Sequence, residues 1–196
     1  MTTLPARGIV LLALLGAGFA APATATAQPD TAARHYEQFT AYFAARVDAY
    51  VALHRRLERL VAPETIFSDP RQDYAAREAL ADMLRAARPG AGEGDIFCPD
   101  VADVFRVRIA HTLRAIHARP ADLLRGEGDD EEGYTPPVVN ERFDWLSGTV
   151  MWPSLLRALP ELPEELEYRL VGADLILLDL HSGVVVDILR DALGEV

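Results

Sequence analysis

The chain has 196 residues, a formal net charge of -11 and a single cysteine, Cys98. That acidity disfavours nucleic acid and membrane-surface partners, because phosphate backbones and anionic headgroups repel it. One cysteine excludes an internal disulfide scaffold and zinc sites built on paired cysteines.

Residues 1–27 are predicted to be a secretory signal peptide. Arg7 precedes an apolar run from Ile9 to Ala20, which is shorter than the roughly 20 residues a bilayer span needs. Ala25, Thr26 and Ala27 then form the small-x-small pattern that signal peptidase accepts, followed by Gln28. The segment has no twin-arginine pair, and no cysteine near the cleavage point suggests a lipid anchor. This predicts residues 28–196 as one domain, periplasmic or secreted, without a membrane span after cleavage. Every one of the 19 Lys+Arg positions is arginine, a bias expected of a GC-rich bacterial gene.

From Thr31 to Val61 the pattern is that of one long amphipathic helix. Tyr36, Phe43, Tyr50 and Leu57 recur every seven residues, and Phe39, Leu53 and Leu60 fill the intervening offset. Val47 and Val61 widen the stripe beyond a two-helix zipper, which favours an intramolecular seam. Ala62 and Pro63 end it. Asp69 as N-cap, Pro70 at the first helical position and Gln72 at the capping-box position start a second helix, with Tyr74, Leu80, Met83, Leu84 and Ala87 on its apolar side. Gly90 to Gly94 form a hinge into a short extended piece, Asp95 to Phe97. Pro99 to Ala118 give a third helix, with Val101, Val104, Phe105, Ile109, Leu113 and Ile116 on one face and acids Asp100 and Asp103 in its first turn.

An acidic, proline-ended loop occupies residues 126–137. Val138 to Leu146 is a possible extra strand, and Pro153 to Ala158 a short helix. The chain closes on three apolar runs between Tyr168 and Leu189, broken at Gly172 and Gly183, where a glycine can take positive φ at no steric cost. That predicts a three-stranded antiparallel β-meander. Its middle run, Leu175 to Leu178, is apolar on both faces, so both need cover. The predicted fold is therefore α+β: about three helices, then a small sheet.

Several residue types that carry chemistry have plainer structural readings. Cys98 before Pro99 fits an unreactive helix N-cap, with no histidine of the same helix within reach of its thiol. His111 and His117 are six residues apart, about 120° around a helix, and do not make the three- or four-residue pair that holds zinc. His35 and His54 flank the aromatic stripe, where boundary histidines are commonplace. Asp179 and His181 share one face of a strand and can meet Asp174 or Asp187 at the hairpin ends. Asp179, His181 and Asp187 are thus the candidate metal ligands, of types a divalent transition ion accepts. Aspartates beside tight turns also arise because they bond turn amides. The acidic loop lacks the ligand alternation of a calcium site, and neither a phosphate loop nor a Gly-x-Ser-x-Gly elbow occurs. No motif for an organic cofactor is present.

Leu159 to Pro163, Leu166 to Gly172, Asp174 to Asp179 and Val184 to Asp187, with Arg46 to Tyr50 and Gly94 to Phe97, resemble a family of uncharacterised exported bacterial proteins. The last thirty or so residues are also similar to the meander of the periplasmic nickel/cobalt-homeostasis family, a likeness of architecture that carries no ligand set. The expected function is an exported, non-catalytic binding protein. Its partner would be another envelope protein, or a second copy meeting it through the first helix. The alternative is a periplasmic metal-homeostasis accessory.

Overall fold

The long helix foreseen from the seven-residue stripe is α1 (Thr31–Val61), and it supplies one wall of the core. The computed structural model describes residues 31–61, 70–123, 136–143 and 148–194. The signal peptide, the Asp69 cap, His35's side chain and nearly all of the acidic loop lie outside the described residues. Phe43, Val47, Tyr50, Val51, His54 and Leu57 are buried along α1, whereas Leu60 at its end is 68 % exposed. The stripe is thus turned inward on the domain's own elements. Helix α2 (Pro70–Ala87) packs against α1 through Leu80, Ala81 and Leu84, and Tyr74 points to solvent instead of into the core. Helix α3 (Pro99–Ala115) buries Val101, Ala102, Phe105, Ile109 and Leu113. It ends three residues earlier than the pattern suggests, where His117 takes a positive φ of 54°. Two short helices follow, α4 (Pro120–Leu123) and α5 (Pro153–Leu156).

The sheet has four antiparallel strands in sequence order, one more than the meander alone: β1 (Thr149–Val150), β2 (Leu166–Val171), β3 (Asp174–Asp179) and β4 (Val185–Leu189). The extra strand is β1; of the segment Val138 to Leu146 expected as a strand, residues 144–146 lie outside the described residues. Residues 139–143 instead run beside β4, with the Asn140 amide donating to the Val185 carbonyl (2.8 Å), the Val185 amide to the Glu141 carbonyl (2.9 Å) and the Phe143 amide to the Gly183 carbonyl (2.8 Å). Asp95 to Phe97, expected as a short extended piece, is a bend in which the Ile96 and Phe97 amides donate to Asp187.

Alternation sorts the sheet's side chains onto two faces. Leu166, Tyr168, Leu170, Leu175, Leu177 and Leu189 join the helices, with Phe43, Phe97, Phe105 and Tyr168 forming an aromatic knot whose centroids lie 5.0 to 6.5 Å apart. Val171, Ile176, Leu178, Val185 and Ile188 form the second face, under Phe143 and Val139. Between Leu177 and Leu178 the register shifts: Leu177 opposes Asp187 and Leu178 opposes Val185. The extra residue, Val186, bulges onto the helix side beside Asp187. Gly172 and Gly183 turn the two hairpins at φ of 57° and 72°. Gly172→Ala should therefore cost about 1 kcal/mol, read as a lower urea midpoint at unchanged m-value.

Candidate functional site

The helix-facing side of β3 ends in Asp179, two residues beyond Leu177, so its carboxylate points at α1 instead of at solvent. It is completely buried and each of its oxygens has two donors. Oδ1 accepts the amides of His181 (3.0 Å) and Ser182 (2.8 Å), which folds the β3–β4 turn around it. Oδ2 accepts the Tyr50 hydroxyl (2.7 Å) and stands 2.6 Å from Nδ1 of His54. With Tyr50 donating and the carboxylate able only to accept, Nδ1 must carry a proton. Tyr50 remains a phenol, since burial, then the Asp179 charge, push its pKa well up. The Arg88 guanidinium stacks 5.1 Å above the Tyr50 ring and closes the chain of polar groups from behind.

Fixing Nδ1 aims the other ring nitrogen of His54 outward along α1. Nε2 is buried and, among the described residues, has no hydrogen-bond partner. It stands 3.4 Å from Oε2 of Glu58, one helical turn on, which makes an ion pair when His54 is protonated. The other Glu58 oxygen lies 2.7 Å from Nδ1 of His181 in the β3–β4 turn. His54, Glu58 and His181 thus bring one ligand atom each within 4.8 Å of the others. His54 is buried, Glu58 half-buried and His181 exposed at 42 % of its side chain, so the cluster runs from the core to the surface.

Electrostatics tie these groups together. Burial works against charge on His54, but the hydrogen bond and charge of Asp179, with Glu58 and Glu165 behind them, raise its pKa overall. Burial likewise pushes Asp179 upward, and the His54 bond and charge, the Ser182 amide and the Tyr50 hydroxyl outweigh it and hold the carboxyl below its usual range.

The arrangement has the ligand types and spacing that can hold a metal ion. A carboxylate that orients one imidazole nitrogen leaves the other bare for an ion. Two ligands about 2.1 Å from one tetrahedral ion stand roughly 3.4 Å apart, the separation of His54 Nε2 from Glu58. Two imidazoles and a carboxylate suit zinc, copper, nickel, cobalt or iron.

Of the ligands expected from sequence, His181 belongs to this cluster, Asp179 stands behind it as the group that orients His54, and Asp187 is engaged elsewhere. The Asp187 carboxylate accepts amides from Gly94 (2.9 Å), Ile96 (2.6 Å), Phe97 (2.7 Å) and Ile188 (2.8 Å), and pins the α2–α3 turn to β4. Burial nevertheless raises its pKa against those four bonds. His54 is not the boundary residue its flanking position suggests; it lies at the centre of the inward face. Glu58 is not among the ligands expected from sequence, although His54 and Glu58 have the four-residue helical spacing that places two ligands on one face. His111 and His117 are exposed, and Cys98 caps α3 half-buried, with no side-chain bond to the helix. Among the described residues no helix is long and apolar enough to cross a membrane.

No protein-family model matches the chain, and neither a curated protein nor a solved structure is significantly similar to it.

Proposed function

We propose that this chain is an exported bacterial protein that binds a divalent transition-metal ion through His54, Glu58 and His181, with Asp179 and Tyr50 as the groups that position His54. One observation carries the reading: His54 Nε2 is fully buried, has no hydrogen-bond partner among the described residues, and faces a carboxylate and a second imidazole. A buried imidazole nitrogen without a hydrogen bond costs stability, and beside the Glu58 carboxylate and a second imidazole a divalent cation would take the place of the proton that now pairs it with Glu58. The binding of a protein partner through the first helix has less support, since Phe43, Val47, Tyr50 and Leu57 of that helix are buried within the domain.

Calorimetric titration of the processed protein with nickel, cobalt, copper and zinc tests this. One ion per chain is expected, and no heat with any of the four removes the proposal. His181→Ala is the informative variant, because a side chain 42 % exposed can be removed with under about 1 kcal/mol of destabilisation. It should weaken binding by at least about tenfold. An unchanged affinity would leave the cluster a hydrogen-bonded one and nothing more.

A further inference from the structure

Strand β2 is only half covered on the side away from β3. Strand β1 pairs with it at Leu170 and Arg169 and ends at Val150, so among the described residues Leu166 to Tyr168 have no strand neighbour on that side. The Leu180 amide donates to the Glu165 carbonyl at 2.8 Å, which turns the Glu165 main chain toward β3. Alternation then turns the main chains of Leu166 and Tyr168 the other way, toward the uncovered margin. The Leu166 amide is taken by the Pro163 carbonyl at 3.0 Å. The Leu166 carbonyl and the main chain of Tyr168 are what this margin presents to an incoming strand.

A groove of about 240 Å³ lies along the same margin. Its floor is apolar and fixed. Met151, Leu166 and Tyr168 are buried, and the Tyr168 hydroxyl donates to the Pro160 carbonyl at 3.2 Å, which holds that wall in place. Val150 and Leu156, exposed at 69 % and 44 %, line it as well, so two large apolar side chains in contact with water share one groove instead of being scattered. The volume is below the roughly 300 Å³ at which small-molecule sites begin, and suits one or two aliphatic side chains.

Charge decides between occupants. Glu161 and Glu167 are among the lining residues, and no basic side chain is. Glu167 is paired with Arg169, whereas Glu161 is exposed and has no ion pair among the described residues. A second copy of this chain would bring a net charge of -11 to an acidic rim, and the chain's own acidic stretch, Glu127 to Glu132, is repelled in the same way. A basic segment of another protein is attracted.

We propose that this margin of β2 binds a short extended segment of a basic partner protein, with an aliphatic side chain in the groove and a flanking lysine or arginine against Glu161. Main-chain bonds to Leu166 and Tyr168 hold the segment, as in strand addition to a sheet edge, and the groove selects its side chain. The proposal is independent of the metal reading, since none of His54, Glu58 and His181 lines the groove.

Fluorescence anisotropy of the processed protein with dye-labelled, capped hexapeptides tests it. The probes alternate lysine with leucine, valine or phenylalanine. At least one should bind saturably at one peptide per chain. The same peptide with serine at the apolar positions keeps the charge and should bind at least about tenfold more weakly, because a buried aliphatic side chain is lost. With glutamate in place of lysine, binding should vanish. Leu156→Ser and Glu161→Lys change exposed positions, should keep the fold, and should each weaken binding several-fold. No binding of any probe overturns the proposal. So does a serine peptide as tight as its parent, which would mark diffuse charge attraction, or unchanged affinity in both variants, which would place the peptide elsewhere. A wild-type dimer that Leu156→Ser dissociates would make a second copy the occupant and overturn it equally.

Discussion

Asp179→Ala should lower stability by roughly 3–5 kcal/mol, the scale for breaking a buried charged pair. The substitution strands the Tyr50 hydroxyl, His54 Nδ1 and the amides of His181 and Ser182, all of which donate to this one carboxylate. Asp179→Asn, which preserves volume, should still cost most of that amount, because its NH2 group meets donors on the Oδ2 side. The effect has a pH signature. Asp179's pKa is lowered in the folded protein, so its contribution is complete above the unfolded value of about 3.9 and disappears as pH falls through the folded value. His54's is raised, so its contribution is complete below the unfolded value of about 6.5 and is lost as pH rises through the folded one. The stability difference between wild type and Asp179→Asn should be largest between about pH 4 and 6.5 and shrink on both sides. Urea titrations across that range check it; a flat difference would mean that the pair is not charged in the folded protein.

Leu177→Asp should be still more damaging, above about 5 kcal/mol, enough to leave an average domain largely unfolded. Leu177 is fully buried on the helix-facing side of the middle strand, among Leu175, Tyr168 and Phe43's cluster. The change removes a leucine worth about 2–5 kcal/mol as a truncation and adds an unpaired buried charge. It also sets that charge opposite Asp187, its cross-strand partner. Loss of the cooperative thermal transition in the processed protein is the expected result. An unchanged melting curve would show that the sheet does not share a core with the helices.

How much of this could be read from the chain depends on the range of the interactions involved. Helices α1, α2 and α3 and the β2–β4 meander follow from local periodicity and from glycines at Gly172 and Gly183, signals contained within a few turns or strands. Strand β1 has only two residues, and its pairing of Thr149 with Leu170 exists because of β2, so no local pattern marks it. Tyr74 has the right spacing for α2's apolar side yet is exposed, because which turns of an amphipathic helix find a partner is set by the tertiary packing and not by the spacing. The site divides the same way. The spacing of His54 and Glu58 is local and available to inspection, whereas their meeting with His181 across more than a hundred residues is set by how α1 lies on the sheet. Asp179 and Asp187 look alike in sequence, two aspartates at strand positions. The donors they meet, an imidazole and a phenol for one and four backbone amides for the other, separate them.

The segment 139–143 along β4 and the brevity of β1 have a shared consequence for how copies of this chain treat one another. At one margin β1 presents only two residues, and at the other the Val185 amide and carbonyl already have partners in Asn140 and Glu141. Among the described residues the β4 margin is thus covered beside Val185, and the margin without a strand neighbour is the short run Leu166 to Tyr168 of β2, too brief for a foreign strand to zip onto at length despite a middle strand as apolar as Leu175 to Leu178.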